Sequence, residues 1–383
     1  MDGGKIVGIV LLDLSSAFDT VDHPVLINRL SYVGVGGTAL QWFHSYLSSR
    51  SQSVQIRDTA SPSTALNFSV PQGSVLGPHL FNIYTLPLQN IIAKHNLNFH
   101  MYADDLQLYF TCSPVQDEVD KCLESLQACI CDIRKWMSDS YLKLNNEKTE
   151  FLMLGSRQQL RKVSIPPLVV GSAHIPPSDK VKNLGVVFDT AMTLESQISK
   201  SVKSANYNLR NIRAIRNYLT PQATEQLTHA FVSSYLDNCN SLFFGLPKYQ
   251  ISKLQKVQNA AARLVTKSKR SDSITPILKR LHWLPVQARI RYKILLITYR
   301  ALKGLAPDYI CTLLKMSSSR SGLRSSSTNS LSCPKTRRNW GDRAFVSAAP
   351  RLWNALPSNL KMENTYELFK TKLKTYLVNQ TFC

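Results

Sequence analysis

Three carboxylates stand where apolar segments of the chain end or turn. Asp13 follows the run IVGIVLL, while Asp104 and Asp105 interrupt the apolar stretch FHMYADDLQLYF at residues 99–110. An ionised carboxylate in a stretch expected to be buried needs a partner. If the two segments are neighbouring strands, the three side chains meet at one edge of a sheet, where their mutual repulsion requires cations. Hard oxygen ligands favour Mg²⁺ or Mn²⁺.

Such a carboxylate cluster would do chemistry at phosphorus. Two divalent ions bridged by carboxylates are the apparatus for in-line displacement of a phosphoryl group. The alternative interpretation is structural, because aspartates are ordinary residues of a hairpin turn. For either acidic segment taken alone, the structural interpretation is the stronger one. The residue types therefore indicate phosphoryl chemistry only if the two segments come together.

The segments that must position these carboxylates mix strands and helices. IVGIVLL predicts a buried strand, and FHMYADDLQLYF predicts two short strands that meet at a turn. Residues 113–140 have apolar positions at three- and four-residue spacing, which predicts a long amphipathic helix. Further helices are predicted for VLINRLSYV, TALQWFHSYL and LFNIYTLPLQNIIAKH, and strands for SVQIR, ALNFSV, YLKLN, TEFLMLG, LVVG and NLGVVFD. This mixture lacks a strict βαβ rhythm and indicates an α+β domain.

The charge of the 383-residue chain is distributed unevenly. Residues 1–155 hold 10 Lys and Arg against 15 Asp and Glu, and residues 156–383 hold the remaining 36 against 10. This asymmetry indicates that one part does chemistry while another holds a polyanion. A solvated basic surface is the ordinary alternative, but an imbalance of this size favours nucleic acid.

Composition and cysteine spacing restrict the class of protein further. With 44% hydrophobic residues, the chain can bury a core and divide into two or three domains. Its eight cysteines lack the spacing of a zinc site, which predicts free thiols in a reducing compartment, the cytoplasm or the nucleus. The run IVGIVLL is too short for a signal peptide or a membrane span, so no membrane partner is expected.

Five motifs follow one another in an order that is typical of a known family. They are LLDLSSAFDTVDH (11–23), SVPQGSVLGPHLFNIY (69–84), YADD (102–105), LKLNNEKTEFLMLG (142–155) and NLGVVFD (183–189). In this order they resemble the palm motifs of reverse transcriptases, most closely those of non-LTR (LINE-type) retrotransposons. YADD alone is a weak match, whereas five ordered motifs at compatible spacing are a strong one.

The resemblance implies an α+β fold that begins with a right-hand polymerase palm, an antiparallel sheet with packed helices, at residues 1–194. A basic, mainly α-helical thumb or connection would follow at 195–316, then a Ser-rich linker at 317–334 and a small helical C-terminal unit at 335–383. The implied reaction is two-metal nucleotidyl transfer from a dNTP, which extends a DNA primer on an RNA template. The thumb would track the phosphate backbone of the RNA–DNA hybrid.

The family motifs imply roles for residues around the three carboxylates. Asp13 and Asp104 would be the principal ligands of two Mg²⁺ ions, or of Mn²⁺, and Asp105 would complete the site near the primer 3′-hydroxyl. The backbone at Leu14 would lie against the incoming triphosphate. Phe18 would be an aromatic gate that excludes a ribose 2′-hydroxyl, and a core aromatic beside a strand-to-helix turn is the alternative.

The remaining motifs imply a nucleotide contact and a primer contact. Gln72 would contact the nucleotide, and Gly73 would allow close approach of the backbone, although an ordinary loop is the alternative. Lys148 would act near the leaving pyrophosphate as a general acid or charge stabiliser, and a solvated lysine is the alternative. The primer grip would comprise Asn183, Leu184 and Gly185. Structural roles, as caps and hydrogen-bonding groups, are expected for Asp19, Asp22 and His23.

Segments that relatives carry are missing from this pattern. The chain starts twelve residues before Asp13, which leaves no room for a fingers region, and no endonuclease or ribonuclease H pattern is visible. The chain is expected to be a truncated part of a polyprotein whose fingers and endonuclease segments would be its partners. Two functions stay open: an RNA-directed DNA polymerase, or an inactive relic that keeps nucleic-acid binding. A basic helical RNA-binding protein with accidental motifs is disfavoured, because chance does not order five motifs.

Overall fold

The computed structural model describes residues 2–317 and 330–382, which fall into two compact units. The first unit contains residues 4–183 and 189–191 and includes the three carboxylates. The second contains residues 192–383, together with the short segments 1–3 and 184–188. The first unit combines strands with helices and the second is mainly helical, which confirms the prediction of a mixed α and β chain.

Four strands form the central sheet of the first unit. The strands of the chain, including those outside this sheet, have the bounds β1 Ile6–Leu14, β2 Arg50–Gln52, β3 Gln55–Ile56, β4 Thr59–Ala60, β5 Thr64–Leu66, β6 Asn98–Tyr102, β7 Asp105–Cys112, β8 Leu144–Leu154, β9 Leu168–Val170, β10 Ala173–Ile175, β11 Lys180–Asn183 and β12 Val186–Asp189. The central sheet has the order β6-β7-β1-β8, and all of its pairings are antiparallel. The predicted antiparallel sheet is confirmed, with β1 paired on both edges.

The sequence of β1 suits a strand inside a sheet. Its residues are rich in Ile and Val and alternate between buried and half-buried positions, as expected when one face packs against a core. Gly8 is opposite Phe110 on β7 and Met153 on β8. A Cβ at Gly8 would lie 2.3 Å from two atoms of the Phe110 ring, so glycine leaves the room that this ring occupies.

Helices pack against the sheet and complete the core of the first unit. Their bounds are α1 His23–Tyr32, α2 Gly37–Leu47, α3 Gly77–Thr85, α4 Leu88–Lys94, α5 Gln116–Asp139 and α6 Arg157–Leu160. The Asp22 side chain caps α1 by accepting a hydrogen bond of 2.8 Å from the Val25 amide, which confirms its structural role. The buried residues of α5 recur every three or four positions, and this face contacts β7 and β9.

Five predicted elements were wrong in their extent. LFNIYTLPLQNIIAKH forms two helices, α3 and α4, because Pro87 has no amide hydrogen with which to continue α3. YLKLN and TEFLMLG, predicted as two strands, contribute to the single strand β8, which a bulge interrupts. SVQIR and ALNFSV contribute only the short strands β3 and β5.

The second unit is built from helices around two apolar clusters. The helix bounds are α7 Glu195–Ile215, α8 Pro221–Thr228, α9 Ser234–Asp237, α10 Lys248–Thr266, α11 Ile274–Arg280, α12 Val286–Leu302, α13 Asp308–Cys311, α14 Asn339–Arg343, α15 Phe345–Asn354, α16 Ser358–Lys361 and α17 Tyr366–Phe382. One cluster includes Leu254 and Trp283, and the other includes Tyr299 and Phe369. None of the described helices is both long enough and apolar enough to cross a membrane.

Residues on both sides of the predicted linker share one apolar cluster. The ring of Tyr299 stacks on that of Phe369, with 4.3 Å between their centroids. The predicted linker at 317–334 lies mostly outside the described residues, since residues 318–329 are not among them. At its ends, the Ser317 amide donates a hydrogen bond of 2.9 Å to the Ser330 carbonyl. The division of the chain at 316 and 335 stays a prediction.

We expect Gly8→Ala to destabilise the first unit, because the added methyl group would overlap the Phe110 ring inside the sheet. The free energy of unfolding should fall by about 1–3 kcal/mol in chemical denaturation. Gly3→Ala is the matched control, since no atom lies within 4 Å of a Cβ built at Gly3. An equal loss of stability in both variants would contradict the close packing of Phe110 on Gly8.

Candidate active site

The pairing of β1 with β7 brings the three carboxylates to one edge of the sheet. The last pair of this register joins Leu12 to Leu106, so Asp13 and Asp105 occupy the next positions on adjacent strands. Asp104 directly precedes Asp105 in the turn between β6 and β7. The expectation that the two acidic segments are neighbouring strands is confirmed.

The acidic hairpin has a tight and strained turn. Tyr102 pairs with Asp105, which leaves Ala103 and Asp104 as the two loop residues. Ala103 has a φ of 53°, in the left-handed region that costs a residue with a Cβ about 1–2 kcal/mol. Alternate residues of β7 are buried and hold this strand against the core. The packing of the strand arms therefore maintains a turn that the loop residues alone disfavour.

A bulge in β8 carries Lys148 to the end of β1. Asp13 pairs with Asn145, and four residues of β8 then stand opposite a single residue of β1. The Asn145 side chain closes this bulge by accepting hydrogen bonds from the backbone amides of Glu147 and Lys148, at 3.2 and 3.3 Å. As a result, Lys148 Nζ lies 3.1 Å from Asp13 Oδ2.

Lys148 and Asp13 form an ion pair that lacks a directed hydrogen bond. Asp13 Oδ2 is shielded from solvent, and it accepts no hydrogen bond within the part of the chain that the structure describes. The attraction across 3.1 Å is therefore mainly Coulombic. Because the Lys148 side chain is 66% exposed, the pair contributes little to stability.

The three carboxylates influence one another electrostatically. Burial raises the pKa of Asp105, and the negative charges of Asp104 and Asp13 raise this pKa further. The Lys148 ammonium acts in the opposite direction and lowers the pKa. Ionisation of Asp105 is thus less favourable than that of an isolated carboxyl group, and added positive charge would favour it.

The donors of a metal site are present, but they are not arranged as a ligand set. Among residues 2–317 and 330–382, no group of three or more His, Cys, Asp and Glu side chains could hold a metal ion. The donor chemistry still fits a hard divalent cation, because three carboxylates meet at one edge and a buried oxygen of Asp13 accepts no hydrogen bond. The sheet fixes the backbone positions of these donors without fixing their ligand geometry.

The Gln72 loop packs beside Phe18. The Val70 amide donates to the Phe18 carbonyl at 3.0 Å, and Gln72 Nε2 donates to Asp19 Oδ1 at 2.8 Å. Phe18 is half-buried against the core, with its ring centroid 4.8 Å from that of Phe81. The loop and the aromatic ring therefore form one structural unit. The nucleotide contact of Gln72 and the gate role of Phe18 stay predictions.

Gly73 and Leu14 occupy very different backbone positions. Gly73 has a φ of 78°, and a Cβ built there would meet no atom within 4 Å, so the chain turns at an open surface. Leu14 is buried and pairs with Leu144 of β8, so its backbone belongs to the sheet. The nucleotide contacts expected of Gly73 and Leu14 stay predictions.

The predicted primer grip is tied to the acidic strand through Asn183. Gln107 and Asn183 exchange two side-chain hydrogen bonds, of 2.8 and 3.0 Å. Gln107 lies two residues after Asp105 and therefore projects from the same face of β7. Leu184 and Gly185 have φ angles of 45° and 83°, which turn the chain after β11. The contact of this turn with a primer stays a prediction.

Two supporting residues were missed by sequence reasoning. Asn145 closes the bulge that carries Lys148, and only the register of β8 with Asp13 reveals this position. Gln107 holds the predicted primer grip. The alternation of side chains along a strand could have placed Gln107 on the face of Asp105. No comparable rule could have located Asn145, because a bulge interrupts the alternation.

Residues 2–188 match the family described as reverse transcriptase (RNA-dependent DNA polymerase). This match includes the three carboxylates, Lys148 and the Gln72 loop. Residues 2–188 are thus similar to the reverse transcriptase family, in agreement with the ordered motifs.

The similar proteins come mainly from transposable elements. The chain is 26% identical over 281 residues to a probable RNA-directed DNA polymerase from transposon BS of Drosophila melanogaster, covering 69% of this chain and 29% of that protein. It is 24% identical over 274 residues to the RNA-directed DNA polymerase from mobile element jockey of Drosophila funebris, covering 69% and 28%. These names agree with the LINE-type element that the motifs indicated. The chain spans less than a third of the length of these relatives.

A solved structure of apo telomerase from Candida tropicalis is also similar. It is 10% identical to this chain, and the alignment covers 74% of this chain and 47% of the telomerase chain, with a TM-score of 0.36. Similarity at this level supports no conclusion about the fold.

We expect Asp105→Asn to stabilise the protein at pH 7 without divalent cations. Because the folded state raises the pKa of Asp105, it binds the proton more tightly than the unfolded state does, and the associated stability is lost as the pH rises. Asparagine resembles the protonated side chain and avoids this loss. The gain in Tm of the variant over the wild-type chain should shrink when the pH is lowered below 3.8, the ordinary pKa of an Asp side chain.

The exposed Asp58 provides the matched control for this pH experiment. Asp58→Asn removes the same charge outside the cluster and should change Tm little at either pH. A Tm of Asp105→Asn that falls below the wild-type Tm at pH 7 would contradict the repulsion between the carboxylates.

Proposed function

We propose that the chain contributes the polymerase core of a non-LTR retrotransposon reverse transcriptase, which extends a DNA primer on an RNA template. The observation that carries this proposal is the register of β1 with β7, which brings Asp13 beside the Asp104–Asp105 hairpin inside the segment that matches the family. In phosphoryl transfer the protein mainly positions the reactants and stabilises charge. Carboxylates at a sheet edge are suited to this role.

Asp13, Asp104 and Asp105 would hold two Mg²⁺ ions, or Mn²⁺ in their place. When bound, such ions neutralise the negative charge that develops around phosphorus. The Asp13–Lys148 ion pair supports this assignment, because a cation already rests against a buried oxygen of Asp13. The raised pKa of Asp105 also supports it, since added positive charge favours the carboxylate form.

The side chains around the cluster would bind and orient the substrates. Lys148 is exposed enough to swing from Asp13 toward the leaving pyrophosphate, to which its ammonium could donate a proton. The remaining residues would form the nucleotide pocket, namely Leu14, Phe18, Gln72 and Gly73, and the primer grip, namely Asn183, Leu184 and Gly185.

The predicted domains complete the proposal. Residues 1–194 would act as the palm, and the basic helices of residues 195–316 would act as a thumb that follows the RNA–DNA hybrid. The chain would work in the cytoplasm and the nucleus, where its RNA template and its DNA target are found.

Primer extension tests the proposed activity. The chain should extend a DNA primer annealed to an RNA template when Mg²⁺ and dNTPs are supplied. Asp104→Asn should slow extension at least about a hundredfold, because a metal ligand contributes several kcal/mol to transition-state stabilisation. Asp139→Asn, at the exposed end of α5, is the matched control and should leave the rate unchanged. No extension by the wild-type chain, with RNA binding retained, would favour the inactive nucleic-acid-binding alternative.

A thermal shift measures the metal site separately from the activity. Mg²⁺ should raise the Tm of the wild-type chain, because a ligand that binds only the folded state stabilises it. Asp13→Asn should remove most of this rise. Equal shifts in the wild-type chain and in Asp13→Asn would contradict a metal site at Asp13.

A further inference from the structure

The second unit contains a cavity of about 870 Å³ with a strongly basic wall. Six of its ten lining residues are cationic and none is acidic. A cavity of this volume has room for a group of nucleotide size. The cations, called here the basic cavity cluster, are Arg213, Arg216, Lys256, Arg263, Lys267 and Arg270.

The basic cavity cluster forms because one face of α10 is cationic along its length. Lys256 and Arg263 lie seven residues apart on this face, and Lys267 follows at the end of the helix. The opposite face of α10 is buried in the first apolar cluster of the unit. Burial of the apolar face therefore forces the cationic face toward the cavity.

Arg216 is fixed in the cavity wall by the end of α10. It is only 5% exposed, and its guanidinium donates hydrogen bonds of 2.9–3.0 Å to the carbonyls of Leu219, Leu264 and Val265. Carbonyls at the end of a helix carry partial negative charge, which holds the cation there. The positive potential of the wall is thus built into the fold before any ligand binds.

Carboxylates do not neutralise this wall. Within the described ranges, no member of the cluster takes part in an ion pair with an acidic side chain. Arg263 donates to the Asp272 carbonyl at 3.1 Å, whereas the Asp272 carboxylate accepts from the Lys269 amide. The buried Nε of Arg263 donates to no acceptor in the part of the chain that the structure describes. A buried donor without an acceptor is costly, and a bound anion would satisfy it.

We propose that this cavity binds the phosphate backbone of a single-stranded nucleic acid. Guanidinium groups pair with phosphate oxygens through two parallel hydrogen bonds, and the five cations of the cluster other than Arg216 can meet several successive phosphates. Tyr218 favours a single strand over a duplex. It ends the 3₁₀ turn that begins at Arg216, and it is 90% exposed. An exposed ring two residues from a cation of the cavity wall can stack on an unpaired base, whereas duplex bases are already stacked.

The proposal rests on the proposed function only where it identifies the polyanion as nucleic acid. Binding at the cavity requires no catalysis. It can therefore be measured in the full chain that carries Asp104→Asn, where a failure of polymerisation cannot alter the result. Primer extension with the unmodified chain reports on the proposed function separately.

The test measures how binding of a fluorescent single-stranded RNA depends on salt. Arg213→Gln, Lys256→Gln and Arg270→Gln are combined, because these side chains are exposed and accept or donate no hydrogen bond among the described residues. Loss of three phosphate contacts should reduce the slope of log affinity against log salt by roughly two, since each contact on a single strand contributes about 0.7. The affinity at low salt should fall at least about tenfold.

The matched control removes the same charge from the first unit. Lys94→Gln, Lys121→Gln and Lys135→Gln are combined on α4 and α5, where all three side chains are exposed. This variant should keep the wild-type slope. Equal losses of affinity and slope in the two triple variants would overturn the cavity as the binding site.

Tyr218→Ala separates a single strand from a duplex. It should lower the affinity for single-stranded RNA about fivefold or more, through loss of stacking, and leave the affinity for duplex RNA unchanged. Equal affinity for both RNAs, with no effect of Tyr218→Ala on either, would overturn the single-strand assignment.

Discussion

Strand β1 is paired along both of its edges, and the candidate active site is organised by those two registers. On one side the register with β7 sets Asp13 next to Asp105, and on the other the register with β8 sets Asp13 opposite Asn145. A shift of either register by one residue would turn the carboxylate or the lysine to the other face of the sheet. The burial of the apolar residues of β1 prevents such a shift, because it would expose them.

Both units gather charge that the chain itself does not fully neutralise. In the first unit three carboxylates share one sheet edge, and the exposed Lys148 lies against one of them, Asp13. In the second unit six cations line one cavity without a carboxylate in its wall. Collecting like charges costs free energy in the absence of a ligand. This cost is the physical basis of the two proposals, cations at the first concentration of charge and phosphates at the second.

Local sequence predicted the elements well where one signal dominated. The apolar run of β1, the amphipathic period of α5 and the cap at Asp22 each specify structure within a few residues, and each was confirmed. The errors arose where two signals competed. A continuous apolar period suggested one helix through Pro87, but the missing amide hydrogen divides it into α3 and α4. YLKLN and TEFLMLG were predicted as two strands, but sheet pairing joins them as β8.

The sequence by itself determined the order of the motifs that match the reverse transcriptase family and the identity of the acidic side chains, because both are properties of the chain alone. Tertiary structure decided which of these groups meet. Lys148 reaches Asp13 because four residues of β8 bulge opposite one residue of β1, and Asn183 is held by side-chain hydrogen bonds to Gln107 of β7. The basic cavity likewise exists only where α7 and α10 pack together. Contacts between residues far apart in the chain depend on register and packing, and no local pattern specifies those.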